Sequence, residues 1–208
     1  MIDAKELRDK YPAEFEREYI KWCEHEPYDD WYEFVFEGAK ERGKEKGFDI
    51  EGIYFTGFWS QGDGASWSGS VDILKYIEAN NLQADPMWFA YGELIRDGVA
   101  GPAAHVSARN SHYSHSNTMQ ITFDCSDLHA DSVMERGVLA GALVNDVVEA
   151  IDFEKAERWM LEDAKGYADE IYDDLREDYE HLTSEESFLD YCHANDVEFD
   201  VDEEECTE

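Results

Sequence analysis

Apolar positions in the first 46 residues recur at steps of three and four. Leu7, Tyr11, Phe15, Tyr19 and Trp22 make one stripe of an amphipathic helical stretch. Pro12 interrupts that run, so a first helix ends near Lys10 and a second opens with proline in its first turn. Pro27 closes the second helix. Asp29 or Asp30 then caps a third that turns Trp31, Phe34, Val35 and Gly38 inward.

The period changes after residue 50. Ile53, Phe55, Gly57 and Trp59 alternate with Tyr54, Thr56, Phe58 and Ser60, and the alternation resumes at Ala65 after Gly62-Asp63-Gly64. This predicts a hairpin with aromatics on both faces, its turn made by residues that tolerate positive φ, and with Trp59 and Trp67 in the sheet core. Helices are predicted over 71–79 and 85–97, the second with Pro86 in its first turn and Gly98 at its end. Strands at 105–109 and 118–123 flank a polar segment and join the hairpin in a mostly antiparallel sheet.

The remainder reads as helix. One stripe runs through Val133, Gly137, Ala140, Val144, Val147 and Ile151. Another runs through Met160, Ala164, Tyr167, Ile171, Leu175, Tyr179 and Leu182, with a break near Asp152. A short helix over 184–193 follows, with Glu185 and Glu186 suiting its N-terminus. The expected fold class is α+β, with a central, mainly antiparallel sheet, a helical N-terminal layer and long acidic C-terminal helices. It is expected as a single domain over 1–195: helical to 48, a sheet-containing core over 50–125, and acidic helices over 131–195. Residues 196–208 are expected to be a flexible acidic tail.

Charge changes the picture most. The chain has 208 residues with 51 Asp and Glu against 17 Lys and Arg, a formal net charge of −34. Yet 43% of residues are hydrophobic and 14% aromatic, which gives enough apolar area for a core and excludes a disordered acidic tail as the whole protein. Such a field repels nucleic acids and acidic membranes and attracts basic surfaces. Halophilic adaptation is a simpler origin of the acidity, but it usually trims large apolar side chains, and this chain is rich in them. Self-repulsion predicts a stability that rises with ionic strength. Cys23, Cys125, Cys192 and Cys206 are scattered without a CxxC pair, and MIDAKELRDKY lacks a secretory pattern. Reduced thiols and a cytoplasmic location are therefore expected. The most apolar stretch, 138–148, is too short and polar for a membrane span.

The acidic C-terminal third carries the first candidate site. Residues 152–208 hold 23 acids and four bases. On the predicted helix over 160–182, Asp163, Asp169, Glu170, Asp173, Asp174, Glu177 and Asp178 leave only one stripe apolar. Carboxylates four residues apart rise about 6 Å per step. Duplex DNA carries one phosphate per roughly 3.4 Å of axis on each strand, so a rigid acidic row resembles its backbone to a basic cleft. The row has a cost, a few tenths of a kcal/mol of like-charge repulsion per i,i+4 pair. A plain solvated acidic face is the simpler alternative.

The segment Gly57-Phe58-Trp59-Ser60-Gln61-Gly62-Asp63-Gly64-Ala65-Ser66-Trp67 is the second candidate. No Lys follows its glycines and Asp63 would repel phosphate, so a phosphate-binding loop does not fit. Trp59, Gln61, Asp63 and Ser66, together with His112 and His115, could line a pocket for a flat, neutral, nucleotide-like ligand if the two hairpins converge. His112 and His115 would share a metal only on a helical turn, and no HExxH or CxxC accompanies them. No metal or other cofactor and no catalytic residue is assigned.

GFWSQGDGAS, followed later by a His-rich extended stretch, resembles a segment of small acidic bacteriophage-encoded proteins of unknown role. The likeness covers about residues 50–125 and leaves out the acidic helix. It implies a phage origin, and with it a host-directed, anti-defence inhibitor acting in the host cytoplasm in preference to a metabolic enzyme. The function expected from the sequence is therefore non-enzymatic: a nucleic-acid-mimicking surface that binds a basic DNA- or RNA-binding host protein, without direct nucleic-acid or membrane contact. A small-ligand binder or enzyme on the Gly62-Asp63-Gly64 hairpin is the rival. A structural protein that forms a homodimer through the small residues of the 133–151 stripe is the third reading.

Overall fold

A computed structural model describes residues 1–25, 29–96, 98, 100–108, 114–123 and 151–201. Among these the fold is α+β, with helices and one four-stranded antiparallel sheet. The expected helix over 131–151 and the Gly137, Ala140 and Gly141 surface fall outside the described residues, apart from Ile151, which is buried. The chain divides into two compact units, Met1–Glu33 with Leu175–Glu208, and Phe34–Asp174, where the sequence suggested one domain over 1–195.

In the first unit, helix α1 (Ala4–Lys10) begins where the Asp3 carboxylate accepts the Glu6 amide at 2.8 Å. Helix α2 (Pro12–Cys23) opens on Pro12. Ala4, Leu7, Phe15, Phe188 and Cys192 form the buried cluster, and the Phe188 ring lies 5.5 Å from Phe15 and 5.4 Å from Trp22. Residues 197–201 of the expected acidic tail are packed against this unit, and 202–208 lie outside the described residues. Phe199 and Ile2 exchange main-chain hydrogen bonds of 3.0 and 2.9 Å. Val197, Phe199 and Val201 alternate onto the cluster, a period of two that the intervening acids mask in the sequence.

The second unit is built on a meander ordered β1 (Phe48–Thr56), β2 (Gly64–Asp72), β3 (Ala103–Ala108) and β4 (Met119–Phe123). A register shift between Ile50 and Gly52 lets Phe48, Ile50 and Ile53 all face the core despite their uneven spacing. Opposite it, Gly69 takes φ +154°, and an added Cβ there would lie 2.1 Å from the Asp49 carbonyl oxygen. Helix α4 (Ile73–Ala79) follows β2 directly, capped by Asp72, so residues 71–72 end the strand and the helix starts two residues later than expected. Helix α5 (Pro86–Arg96) begins with its proline, and Asp85 accepts the Met87 and Trp88 amides.

Helix α3 (Glu33–Glu45) turns a different face inward from the one expected. Phe34 is 83% exposed, while Ala39 and Gly43 are buried and Phe36 meets Phe55 at 6.0 Å. The inward stripe 36, 39, 40 and 43 contains a lysine and a glycine, so its hydrophobicity does not announce it. Above the sheet runs α6 (Phe153–Leu182), which contributes residues to 174 to this unit and the rest to the first. It starts at the expected break, where Asp152 accepts the Lys155 amide at 2.9 Å. Its Ala156, Met160, Ala164, Tyr167, Ala168, Ile171 and Leu175 are all buried. Within the second unit, Phe48 stands among Trp67, Tyr76 and Tyr167 at 5.2 to 6.2 Å. The closing helix α7 (Glu185–Ala194) belongs to the first unit and is capped by Ser184.

Candidate partner-binding face on helix α6

The apolar stripe of α6 fixes where its carboxylates point. At 3.6 residues per turn, the acids outside the stripe fall into two rows. Asp163, Glu170 and Asp174, spaced seven and four apart, lie on one flank. Glu162, Asp169 and Asp173 lie on the side opposite the stripe.

The flanking row is used inside the molecule. The Tyr76 phenol donates to Asp163. Lys46 Nζ reaches both Glu170 oxygens at 2.9 and 3.0 Å, and Arg42 donates to Asp174. Lys46 also sits 4.8 Å from the Tyr167 ring centroid. Arg42 of α3 and Lys46 just beyond its end therefore tie this part of the chain to α6. Burial pushes the Tyr76 hydroxyl well above the ordinary tyrosine range, and the hydrogen bond to Asp163 and its charge add to the shift. Burial likewise raises Tyr167, whose hydroxyl donates to the Ala39 carbonyl at 2.5 Å.

The outward row faces solvent: Glu162, Asp169 and Asp173 are exposed. Lys165 approaches Glu162 at 3.7 Å. Beyond residue 174, on turns of α6 that belong to the first unit, Glu177 is exposed and Asp178 half-buried. Of the seven carboxylates singled out in the sequence, Asp163, Glu170 and Asp174 thus have the internal partners just named.

The rival constellation is placed differently from its sequence reading. β1 ends at Thr56, and residues 57–63 form a loop in which Asp63 accepts the Trp59 and Ser60 amides at 2.8 and 2.5 Å. Within that turn Gly62 takes a positive φ, +107°, as its residue type allows. Trp67 is fully buried and donates from Nε1 to the Ala164 carbonyl at 3.0 Å. Trp59 is instead 75% exposed, which corrects its assignment to the sheet core. The alternation stops two residues short of it because the Asp63 carboxylate captures the amides a strand partner would need.

Gln61 is exposed on the same loop. Ser66 is 1% exposed inside β2, opposite Tyr54, with its hydroxyl unpartnered among the described residues. His115 does approach the hairpin: a Cβ on Gly64 would stand 3.5 Å from its ring, and Thr56 Oγ1 donates to the Ser114 carbonyl at 3.4 Å. Its Nδ1 accepts the Asn117 amide at 3.0 Å. His112 lies outside the described residues. The Asp63 carboxylate and the His115 Nδ1 are both occupied by backbone amides.

Cavities elsewhere in the second unit include one of about 670 Å³ bordered by Asp72, Lys75, Glu78, Gln83 and Arg96. Another of about 400 Å³ is bordered by Lys44, Asp49, Ser70, Asp72 and Lys75, and one of about 370 Å³ by Tyr76, Asn80, Leu82, Trp159, Glu162 and Asp163. In the first unit a cavity of about 400 Å³ lies beside Cys192 and His193, and burial pushes the Cys192 thiol up to about 11. Among the described residues, Cys23 and Cys192 are free thiols, no group of three or more His, Cys, Asp or Glu could hold a metal ion, and no helix is long and apolar enough to cross a membrane. What the sequence missed is the clamp on the 57–63 loop. Its only signal there was an Asp three and four residues after two residues of a glycine-flanked turn.

No curated protein and no solved structure shows significant similarity to the chain. Residues 31–185 match a protein family described as a domain of unknown function, DUF8835. The match contains all of the second unit and leaves out α1, α2 and all of α7 but its first residue. Because it spans more than half of the chain, the protein belongs to the DUF8835 family.

Proposed function

We propose that the protein acts without chemistry of its own, by presenting the outward carboxylates of α6 to a basic, nucleic-acid-binding protein in place of phosphates. The observation that carries this reading is the sorting of the helix acids. Asp163, Glu170 and Asp174 are bound to Tyr76, Lys46 and Arg42, and Glu162, Asp169 and Asp173 form a further exposed row, away from the apolar stripe, on a helix anchored to the sheet. An anchored helix holds its charges at fixed spacing, which a disordered acidic segment does not. The formal charge of −34 adds long-range attraction to any cationic surface. The resemblance to phage proteins favours a DNA-handling or defence protein of a bacterial host as the target, with inhibition as the outcome.

The test is capture of basic proteins from bacterial lysate at low salt, followed by competition with duplex DNA. A partner released by DNA, and lost with a Glu162→Gln, Asp169→Asn, Asp173→Asn variant of unchanged Tm, is the expected result. A partner that binds the triple variant as well as the parent would overturn the assignment to this face.

A further inference from the structure

Among the described residues Trp59 is the most exposed tryptophan, at 75%. A single exposed aromatic residue is ordinary on a protein surface. Here the backbone that carries it is held from several sides. Asp63 accepts two successive amides, one of them that of Trp59 itself. Tyr172 of α6 donates to the Gly57 carbonyl at 3.1 Å. The Phe58 ring is inserted between Phe55 at 6.0 Å and Tyr172 at 5.6 Å. Gly57 leaves room for the Asp63 carboxylate, which would stand 2.9 Å from a Cβ at that position. Phe58 is thus fixed inward and the next residue outward, so the indole is presented on a loop whose ordering has already been met by folding.

The electrostatic setting says what it is presented to. Tyr172, which the loop grips, lies between Asp169 three residues before it and Asp173 one residue after it, two carboxylates of the outward row. On a chain with a formal net charge of −34, an exposed ring face attracts cations. The same unit shows this chemistry twice, with Lys46 4.8 Å from the Tyr167 centroid and Lys155 4.7 Å from that of Trp159. Trp59 is more exposed than Trp159, and among the described residues it has no such cation over it.

We infer that Trp59 is the anchor of the partner-binding surface. It stacks on a cationic side chain of a basic protein while Asp169 and Asp173 draw in the charges around it. The inference rests on the acidic-face reading above and adds to it the residue that carries most of the contact energy. Anchors of this kind are enriched in Trp, and a fixed indole loses little freedom on binding.

The test uses a hexa-arginine peptide amide as probe at low salt, with the full chain. Readouts are the Trp59 indole N–H resonance and the dissociation constant. The expected results are a shift of that resonance and an affinity about tenfold weaker for Trp59→Ala, with Tm unchanged because the side chain is exposed. Trp59→Leu, which keeps apolar area but no π face, should weaken binding to a similar degree. If Trp59→Ala binds as tightly as the parent while the Glu162→Gln, Asp169→Asn, Asp173→Asn variant does not, the anchor is wrong and the acidic-face reading stands. If Trp59→Leu binds like the parent, the contact is apolar and the cation assignment is overturned. If the parent itself does not bind the peptide, both readings fall.

Discussion

The indole nitrogen of Trp67, on the second strand, donates to the main-chain carbonyl of Ala164, in the middle of α6, at 3.0 Å. Both residues are fully buried, so this bond fixes the rotation of the acidic helix about its own axis where water cannot replace it. Trp67→Phe removes the donor and part of the ring. We expect it to destabilise the protein by about 2–4 kcal/mol, combining a lost hydrogen bond with a residual cavity. Urea denaturation followed by circular dichroism reads this directly.

The charges on α6 should give substitutions of opposite sign. Replacing Arg42 and Lys46 together by Gln strips the counter-ions from Asp174 and Glu170 and should destabilise by about 1 kcal/mol, modest because all four groups are partly exposed. Glu177→Gln should instead stabilise by roughly 0.2–0.5 kcal/mol at low salt, since on the helix it neighbours Asp173, Asp174 and Glu180. Both differences should shrink in high salt, and thermal melts across a salt series test them.

Stability should fall on the alkaline side. Burial, with Cys23 and its hydrogen bond next, pushes the Tyr19 hydroxyl up to about 12, and burial raises Cys192 to about 11. Unfolded chains release these protons at their ordinary values, near 10 and 8.5. The folded state therefore binds more protons in that interval, and its stability is complete below about pH 8.5 and lost progressively as pH rises toward 12. Tyr19→Phe should flatten the upper part of this decline in chemical denaturation measured from pH 8 to 11.

Gly69→Ala should abolish soluble expression or cost upwards of about 3 kcal/mol. An alanine there would combine a positive φ with a Cβ placed against the Asp49 carbonyl oxygen. Comparison of soluble yield and far-ultraviolet dichroism with the parent settles it.

Asp63→Ala leaves the Trp59 and Ser60 amides without their acceptor and should cost about 1–2 kcal/mol. Hydrogen exchange at those two amides should accelerate, while amides in β1 and β2 keep their protection. Unchanged exchange at Trp59 would show that Phe58 and Tyr172 hold the loop by themselves.

Much of the fold is legible in the sequence because its signals are local. Pro12 and Pro86 mark helix starts, and the Met160 to Leu175 stripe marks the buried face of α6. The errors share a cause, in that tertiary partners decided between equal local options. Trp59 and Trp67 look alike in an alternating pattern, and only the Asp63 clamp places the first outside the sheet. Phe34 looks like a better core residue than Gly43, yet α3 lies so close to Ile50 and Tyr167 that glycine is the side that fits. The acidic helix was recognisable as a candidate site. Which of its acids were already engaged depended on Arg42, Lys46 and Tyr76, and pairings more than 80 residues apart leave no mark on local periodicity.

The bridge between Ile2 and Phe199, and the bond from Tyr19 to the Thr183 carbonyl 164 residues away, join stretches that lie far apart in the chain. The described strands of Phe34–Asp174 pair with one another, and that stretch is continuous in the chain. The first unit is split, so its two halves meet only after the intervening residues have been drawn together, because an open loop of that length resists closure by its entropy. During synthesis α1 and α2 are made well before Phe188 and Phe199, so their apolar faces wait for those partners. The apolar cover of these two helices is thus supplied by a distant part of the same unit, and until that part is made they stay open to water.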